Sequence, residues 1–141
     1  MAKIIKRTSS GAVALSPNFY LSDFTTCPEA VRLGIDNTPD PLAVQSLFKL
    51  AALMEKVRLL LGGKQITVYR GFCSPAVNDL MGTGGELTLD YLRGESCDFS
   101  CMGFGNTMQV AAAITKSSIE HGGISVMGDA WVQITLPVTA P

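Results

Sequence analysis

One segment limits the possible folds more than any other, because it carries the one long helix signal of the chain. Asp40 is suited to cap a helix, Pro41 to open its first turn, and Gly62-Gly63 to end it. The residues that recur at helical spacing on an apolar face are Val44, Leu47, Ala51, Met54 and Leu61. The residues of the opposite, wetter face are Gln45, Lys49, Ala52 and Lys56. We therefore predict an amphipathic helix over residues 41–61, around which shorter elements are arranged.

The remaining elements are short and mix strand and helix signals. The predicted strands are residues 64–69, 96–100, 124–127 and 131–136, the last two joined by a hairpin turn at Gly128-Asp129. The first predicted short helix is capped by Thr26 and ends at Gly34, and the second covers residues 75–80. The third runs from residue 107 to about 119, with Asn106 as its cap and Gly122-Gly123 at its end. A flexible Gly-rich turn is predicted at 82–85. These elements predict a small α+β domain with helices packed on one side of an antiparallel sheet.

The length of the chain predicts a single domain. It has 141 residues and 15.0 kDa, enough to bury one core without disulfide or metal staples. We divide it into an N-terminal arm over residues 1–14, the domain over 15–136 and a C-terminal tail over 137–141. Only 16% of residues are charged, which indicates either a surface covered by other subunits or an uncharged monomer surface.

Charge and hydropathy exclude several classes of partner. With a net charge of -1 and a pI of about 5.7, the chain lacks the positive charge that holds nucleic acid or an anionic membrane. The most apolar segment, residues 47–61, is interrupted by four charged residues, so no transmembrane segment is predicted. The start of the chain lacks the long apolar run of a cleaved signal peptide, which favours synthesis in a reducing cytoplasm.

Histidine and cysteine usage limits the possible sites. His121 is the single histidine of the chain, which excludes multi-histidine zinc sites and HExxH metalloproteases. Two rebuilt sites are conceivable: a metal held by Cys73, Asp98 and Cys101, and a nucleophile pair of Cys73 with His121. The plainer interpretation is that the four cysteines are buried free thiols and that His121 faces water or lies at a helix end.

Five motifs follow one another in an order and spacing that carry a resemblance. They are Leu-Ser-Pro-Asn-Phe at 15–19, Arg-Leu-Gly-Ile-Asp-Asn at 32–37, Arg-Gly-Phe-Cys-Ser-Pro at 70–75, the segment 89–98 ending in Ser-Cys-Asp, and Trp-Val-Gln-Ile at 131–134. In this order the chain resembles the zinc D-alanyl-D-alanine carboxypeptidase family, especially its compact phage-type members. The resemblance covers residues 15–136 and implies the fold of that family.

The resemblance also implies where a cleft of that family would lie. Its zinc ligands fall on Tyr91, Asp98 and Gln133, and only Asp98 is a usual zinc ligand. Its substrate-binding arginine falls on Cys73, and its acidic general base falls on or near Met127, with Asp129 as the nearest carboxylate. Catalytic zinc needs about three good protein ligands, so these five positions predict a vestigial cleft with no catalytic residue, no metal and no cofactor.

The resulting functional prediction is a pseudoenzyme. The resemblance to phage-type members implies the phage origin, and the lost site residues, the low charge and the polar ends of the chain favour a structural component of the particle, as a capsid decoration or a tail or baseplate protein. Its partners would be other virion proteins or copies of itself, without nucleic acid or membrane, and its location the virion after synthesis in the host bacterial cytoplasm. The alternative is an endolysin-like domain that binds peptidoglycan or retains weak cell-wall peptidase activity. In that case Lys64, Arg70 or Arg93 would replace the missing arginine.

Overall fold

The long helix organises the fold of the computed structural model, which describes residues 6–7, 12–80 and 89–138. Asp40 Oδ1 accepts the backbone N–H of Ala43 at 2.8 Å, and helix α3 (Pro41–Leu60) follows from this cap. Gly62 and Gly63 end it with φ of +81° and +75°, a conformation that favours glycine. The long-helix prediction is confirmed, including its apolar and wet faces.

The described ranges contain short elements before and after α3. Before it lie β1 (Lys6–Arg7), β2 (Val13–Ser16), β3 (Phe19–Tyr20), α1 (Leu21–Thr25) and α2 (Pro28–Leu33). After it lie β4 (Thr67–Arg70), α4 (Pro75–Leu80), α5 (Leu89–Arg93), β5 (Ser96–Ser100), α6 (Thr107–Lys116), β6 (Gly123–Met127) and β7 (Trp131–Thr135). In these ranges no helix is both long and apolar enough to cross a bilayer.

Two antiparallel sheets flank α3. Strands β1, β2 and β3 form a small sheet in that order, and β4, β5, β7 and β6 form a four-stranded sheet in that order. Phe99, Val132 and Ile134 lie on the face of the larger sheet that shares the main core with α3 and α6. This arrangement confirms the predicted α+β class with helices against an antiparallel sheet, and it adds the small N-terminal sheet.

The opposite face of the larger sheet, here called the outer face, carries the polar side chains. Residues directly opposite each other in a sheet point to the same side, and successive residues point to opposite sides. Asp98 pairs with Gln133, which pairs in turn with Ser125 on β6. The alternate residues Met127 and Trp131, which pair with each other, therefore share this face.

The small sheet is fastened to α3 by one carboxylate. Glu55 Oε2 accepts a hydrogen bond from the Ser16 hydroxyl at 2.6 Å and one from the Asn18 backbone N–H at 2.7 Å. Glu55 Oε1 accepts a third from the Asn18 side chain at 2.8 Å. We call Glu55 with these two residues the Glu55 clamp. It holds the turn between β2 and β3 against the middle of the long helix.

Several predicted boundaries were wrong. Helix α2 is capped at Cys27 rather than Thr26, although it ends at Gly34 as predicted. Helix α6 begins after Asn106 as predicted, but it ends at Lys116, before residue 119. The hydroxyl and the backbone N–H of Ser117 both donate to the Ile114 carbonyl, and the backbone of Ser117 is extended, which ends the helix. The first strand of the larger sheet begins at 67 rather than 64.

Some predictions fall wholly or partly outside the described residues. The Gly-rich turn at 82–85 and the last three residues of the tail lie outside them. Of the predicted arm over 1–14, the structure describes residues 6–7 and 12–14, where Lys6 and Arg7 pair with Ala14 and Val13. The domain boundaries at residues 15 and 136 stay predictions.

Candidate functional site

A buried polar cluster lies on the outer face of the larger sheet, and we call it the Arg70–Tyr91–Asp98 cluster. The Tyr91 hydroxyl donates a hydrogen bond to Asp98 Oδ1 at 2.5 Å. Arg70 Nη1 lies 4.0 Å from Asp98 Oδ2, and its guanidinium carbon lies 5.8 Å from the centre of the Tyr91 ring. Asp98 is 1% exposed and Tyr91 6%, so both polar groups depend on each other and on Arg70 for compensation.

Strand β5 and helix α5 bring Asp98 and Tyr91 together. Alternation along β5 places Cys97 and Phe99 in the core, so Asp98 points to the outer face. Gly94 ends α5 with φ of +72°, and a Cβ there would lie 2.9 Å from the Ala43 carbonyl oxygen of α3. The chain needs glycine at this point, because only then can it turn back beside α3 and lay Tyr91 over Asp98.

A β-bulge supplies Arg70. The register between β4 and β5 shifts between Val68 and Arg70, so that Arg70 is opposite Asp98. The Tyr69 hydroxyl lies 2.8 Å from Ser100 Oγ, which places Tyr69 on the same face as Arg70. Two successive residues thus point to the outer face. From the sequence, Arg70 was predicted only as a substitute cation, because regular alternation does not reveal a bulge.

The electrostatics keep the phenol protonated. Burial raises the pKa of Asp98, while the hydrogen bond from Tyr91 and the charge of Arg70 oppose that rise. Burial raises the pKa of Tyr91 strongly, and its hydrogen bond to the Asp98 carboxylate raises it further. At neutral pH Tyr91 is therefore a proton donor to Asp98.

Cys73, at the position of the substrate-binding arginine, lies beside this cluster. It is 3% exposed, shares a small apolar cluster with Val77 and Tyr91, and donates its backbone N–H to the Tyr91 carbonyl at 3.1 Å. Burial raises the pKa of its thiol to about 11, although the charge of Arg70 acts in the opposite direction. The thiol is therefore neutral at physiological pH, and it neither attacks a carbonyl nor binds a carboxylate.

Asn37 fixes the loop that carries Cys73. Its side-chain nitrogen donates to the carbonyl of Thr25 at 2.8 Å and to that of Phe72 at 3.2 Å. Its Oδ1 accepts the backbone N–H of Ser74 at 2.7 Å. The side-chain amide of Asn37 therefore joins two of the sequence motifs, 32–37 and 70–75. This role explains why the first motif ends in asparagine.

The other two predicted positions lie farther along the sheet. Gln133 is the cross-strand partner of Asp98, so it is next to the cluster. Met127 lies on the edge strand β6, is 48% exposed and pairs with Trp131. Four of the five predicted positions, Cys73, Tyr91, Asp98 and Gln133, are thus neighbours, and Met127 is at the rim of the outer face.

The residues at the zinc-ligand positions do not fit a catalytic zinc ion. Asp98 already accepts a hydrogen bond from Tyr91, which remains protonated, and Gln133 offers a neutral amide. Over the described ranges, no three His, Cys, Asp or Glu side chains come together in a way that could hold a metal ion. A zinc site with three strong ligands and an activated water cannot be assembled from this set.

The two rebuilt sites considered from the sequence are also not assembled. Cys101 belongs to the main core with Cys97, on the opposite side of β5 from Asp98. The charged groups that shift the pKa of Cys73 are Arg70, Cys27 and Asp98, and His121 is not one of them. His121 lies just before β6. His121 is half-buried and follows the end of α6 by several residues, so its predicted place at the end of that helix was wrong.

Comparison with known proteins gives one match. A sequence model of the family described as Peptidase M15 matches residues 17–135, which is most of the chain. No curated protein and no solved structure matches the chain. The matched range begins directly after β2 and ends with β7, so it includes every residue of the Arg70–Tyr91–Asp98 cluster.

Proposed function

The chain belongs to the peptidase M15 family, and from that premise we propose that it is a non-catalytic member with a structural role in a phage particle. The observation that carries the loss of catalysis is the hydrogen bond from the Tyr91 hydroxyl to Asp98, made where the family resemblance implies a zinc ion. A phenol and a guanidinium compensate the carboxylate there.

The residues that zinc-dependent peptide hydrolysis needs as zinc ligands, as general base and as binder of the substrate carboxylate are missing from the implied positions. The implied ligand positions cannot hold the ion that would activate water. Met127 has no group that takes up a proton, so it cannot serve as the general base. Cys73 is a buried neutral thiol and cannot bind the carboxylate of a peptide. These losses are independent of one another, so restoring one of them does not restore hydrolysis.

The surface supports a role in assembly. Several large apolar side chains are half or more exposed on a chain with few charges, and they include Val31, Leu42, Leu59, Met102 and Met108. Such side chains become buried when subunits associate. The proposed partners are therefore other virion proteins or further copies of this chain. The phage particle as the setting rests on the resemblance of the five motifs to phage-type members.

The loss of catalysis is tested by adding zinc and a peptide that ends in D-alanyl-D-alanine. We expect no zinc-dependent change in melting temperature and no release of D-alanine from the wild-type chain. The double variant Tyr91→His with Gln133→His places imidazoles on both sides of Asp98, and we expect it to gain zinc binding. Release of D-alanine by the wild-type chain that a chelator abolishes would establish the cell-wall peptidase alternative instead.

The structural role is tested separately, by mass spectrometry of particles of the phage whose genome encodes the chain. We expect the chain in a fixed ratio to the major capsid or tail protein. Its absence from washed particles would refute the structural role and leave the loss of catalysis untouched. Sedimentation of the purified chain with peptidoglycan sacculi would favour the binding alternative.

A further inference from the structure

A cavity of about 430 Å³ opens at one end of the larger sheet, and its lining includes none of Arg70, Tyr91 and Asp98. Its floor is made by the buried side chains of Cys101, Val110 and Val132. Tyr69 and Asp129 lie at its walls, which also include the loop after β5 and the first turn of α6. This volume is within the range of small-molecule sites in proteins.

Hydrogen bonds hold the polar walls of this cavity in place. The Tyr69 hydroxyl and Ser100 Oγ are 2.8 Å apart, and the Thr107 hydroxyl donates to the Gly128 carbonyl at 2.6 Å. Asn106 caps α6, and its Oδ1 accepts a hydrogen bond from the backbone N–H of Gln109 at 2.9 Å. The side-chain nitrogen of Asn106 takes no part in this cap. A ligand would therefore meet prearranged groups, which lowers the entropy cost of binding.

The charge around the cavity favours a neutral ligand. Among the residues that line it, Asp129 alone is charged, so carboxylates and phosphates are repelled. The N-terminus of α6, at Asn106 and Thr107, carries the positive end of the helix dipole, which offsets part of the attraction of Asp129 for a cation. The hydroxyl, amide and carboxylate groups together offer hydrogen-bond donors and acceptors to an uncharged molecule rich in hydroxyl groups.

An exposed aromatic ring, that of Tyr69, belongs to the lining of the site. Tyr69 is 47% exposed, and its ring centre lies 6.2 Å from that of Trp131 at an interplanar angle of 41°. An exposed aromatic ring beside hydrogen-bonding groups suits a ligand with one apolar C–H face and polar edges. We propose that this cavity binds a neutral saccharide, which contacts Tyr69 through its C–H face and bonds to Asp129 and Asn106 through its hydroxyl groups. This proposal does not depend on the proposed function.

The test is an NMR titration of the isotope-labelled chain with three neutral trisaccharides: maltotriose, cellotriose and N,N′,N″-triacetylchitotriose. We expect at least one of them to give saturable shifts of the Met102, Asn106 and Asp129 amides. Asp129→Asn removes the charged acceptor but keeps the shape, and Tyr69→Ala removes the ring. Each is expected to weaken binding by about tenfold, equivalent to about 1.4 kcal/mol. Tyr69→Phe keeps the ring and is expected to retain most of the affinity.

The matched control is Asp79→Asn, which removes an exposed carboxylate on α4 outside the cavity and leaves binding unchanged. Because Asp129 lies in a surface turn, its variant tests the site even where Tyr69→Ala does not fold. The proposal is overturned by a titration in which none of the three sugars gives a saturable shift. It is equally overturned where the binding of a sugar is unaffected by Asp129→Asn, or where tetramethylammonium or inorganic phosphate saturates the site and the sugars do not.

Discussion

Replacing Tyr91 by phenylalanine removes a single oxygen atom from the centre of the Arg70–Tyr91–Asp98 cluster. The ring stays in its apolar surroundings beside Cys73 and Val77, so the change acts on the hydrogen bond and leaves the packing unchanged. Asp98 Oδ1 then loses its donor inside the protein, and the nearest cationic nitrogen is 4.0 Å from the other carboxylate oxygen. The variant therefore measures how far this fold depends on the hydrogen bond made where the family resemblance implies a zinc ion.

The expected cost follows from the burial of both partners. A hydrogen bond to a charged group contributes about 1.5–3 kcal/mol, and a buried acceptor left without a donor costs a similar amount. Proton uptake by Asp98 relieves part of this cost, because burial already raises its pKa. We expect a net destabilisation of about 2 kcal/mol, or a fall in melting temperature of about 5–8 °C.

The assay is urea unfolding followed by circular dichroism, with and without a chelator. Tyr69→Phe is the matched control, because its hydroxyl bonds to the neutral Ser100 side chain at 2.8 Å in a more exposed place. We expect it to cost about 0.5–1 kcal/mol. A Tyr91→Phe variant as stable as the wild type would refute the reasoning. A wild-type chain destabilised by the chelator would refute it as well, since the cluster would then be a metal site.

Three further predictions concern the scaffold. Burial alone would raise the pKa of Glu55, but the hydrogen bonds of the Glu55 clamp outweigh this effect and hold the pKa low. The stabilisation that the clamp gives is therefore present above the unfolded-state pKa of Glu55, and it is lost as the pH falls through the folded-state pKa. Glu55→Gln should therefore flatten the acid limb of a pH–stability curve. Gly71→Ala places a Cβ 2.7 Å from that of Phe24 and should cost about 1–3 kcal/mol in urea unfolding, whereas Gly123→Ala, with open space around it, should cost far less. Asp40→Ala removes the cap of α3 and should lower the free energy of unfolding by about 1 kcal/mol.

The fold was predictable where local signals agree with one another. Asp40 with Pro41 and the two glycines at 62–63 define α3 from both ends, and the Gly128-Asp129 turn gives the β6–β7 hairpin. Helices α1 and α5 were not predicted, because each has only five residues and too little sequence to show a helical period. The small sheet was missed because β1 and β3 have two residues each and are held by contacts distant in sequence, such as the Glu55 clamp.

The candidate site was predictable only in part. Motif spacing located Tyr91, Asp98 and Gln133, and the strand register makes them neighbours. Spacing did not reveal the role of Arg70, because that role depends on a bulge that shifts the β4–β5 register by one residue. The saccharide cavity was not visible either, since Tyr69 and Asp129 are far apart in the sequence and belong to no common motif.

The retained Asp98 is best understood as a structural residue. A carboxylate that is 1% exposed is costly to bury. Removing the partner of such a buried carboxylate destabilises a protein more than replacing both groups by apolar side chains does. If the two histidines were lost from an ancestral zinc site, Asp98 would remain only with new partners, and a hydroxyl donor at 2.5 Å with a nearby guanidinium provides them. Once they are in place, replacing Asp98 would leave the Tyr91 hydroxyl without this acceptor, so the stability of the fold is reason enough for a carboxylate at this position. The survival of one ligand residue at a motif position is therefore no evidence for the survival of the metal, and the contacts of that residue decide between the two.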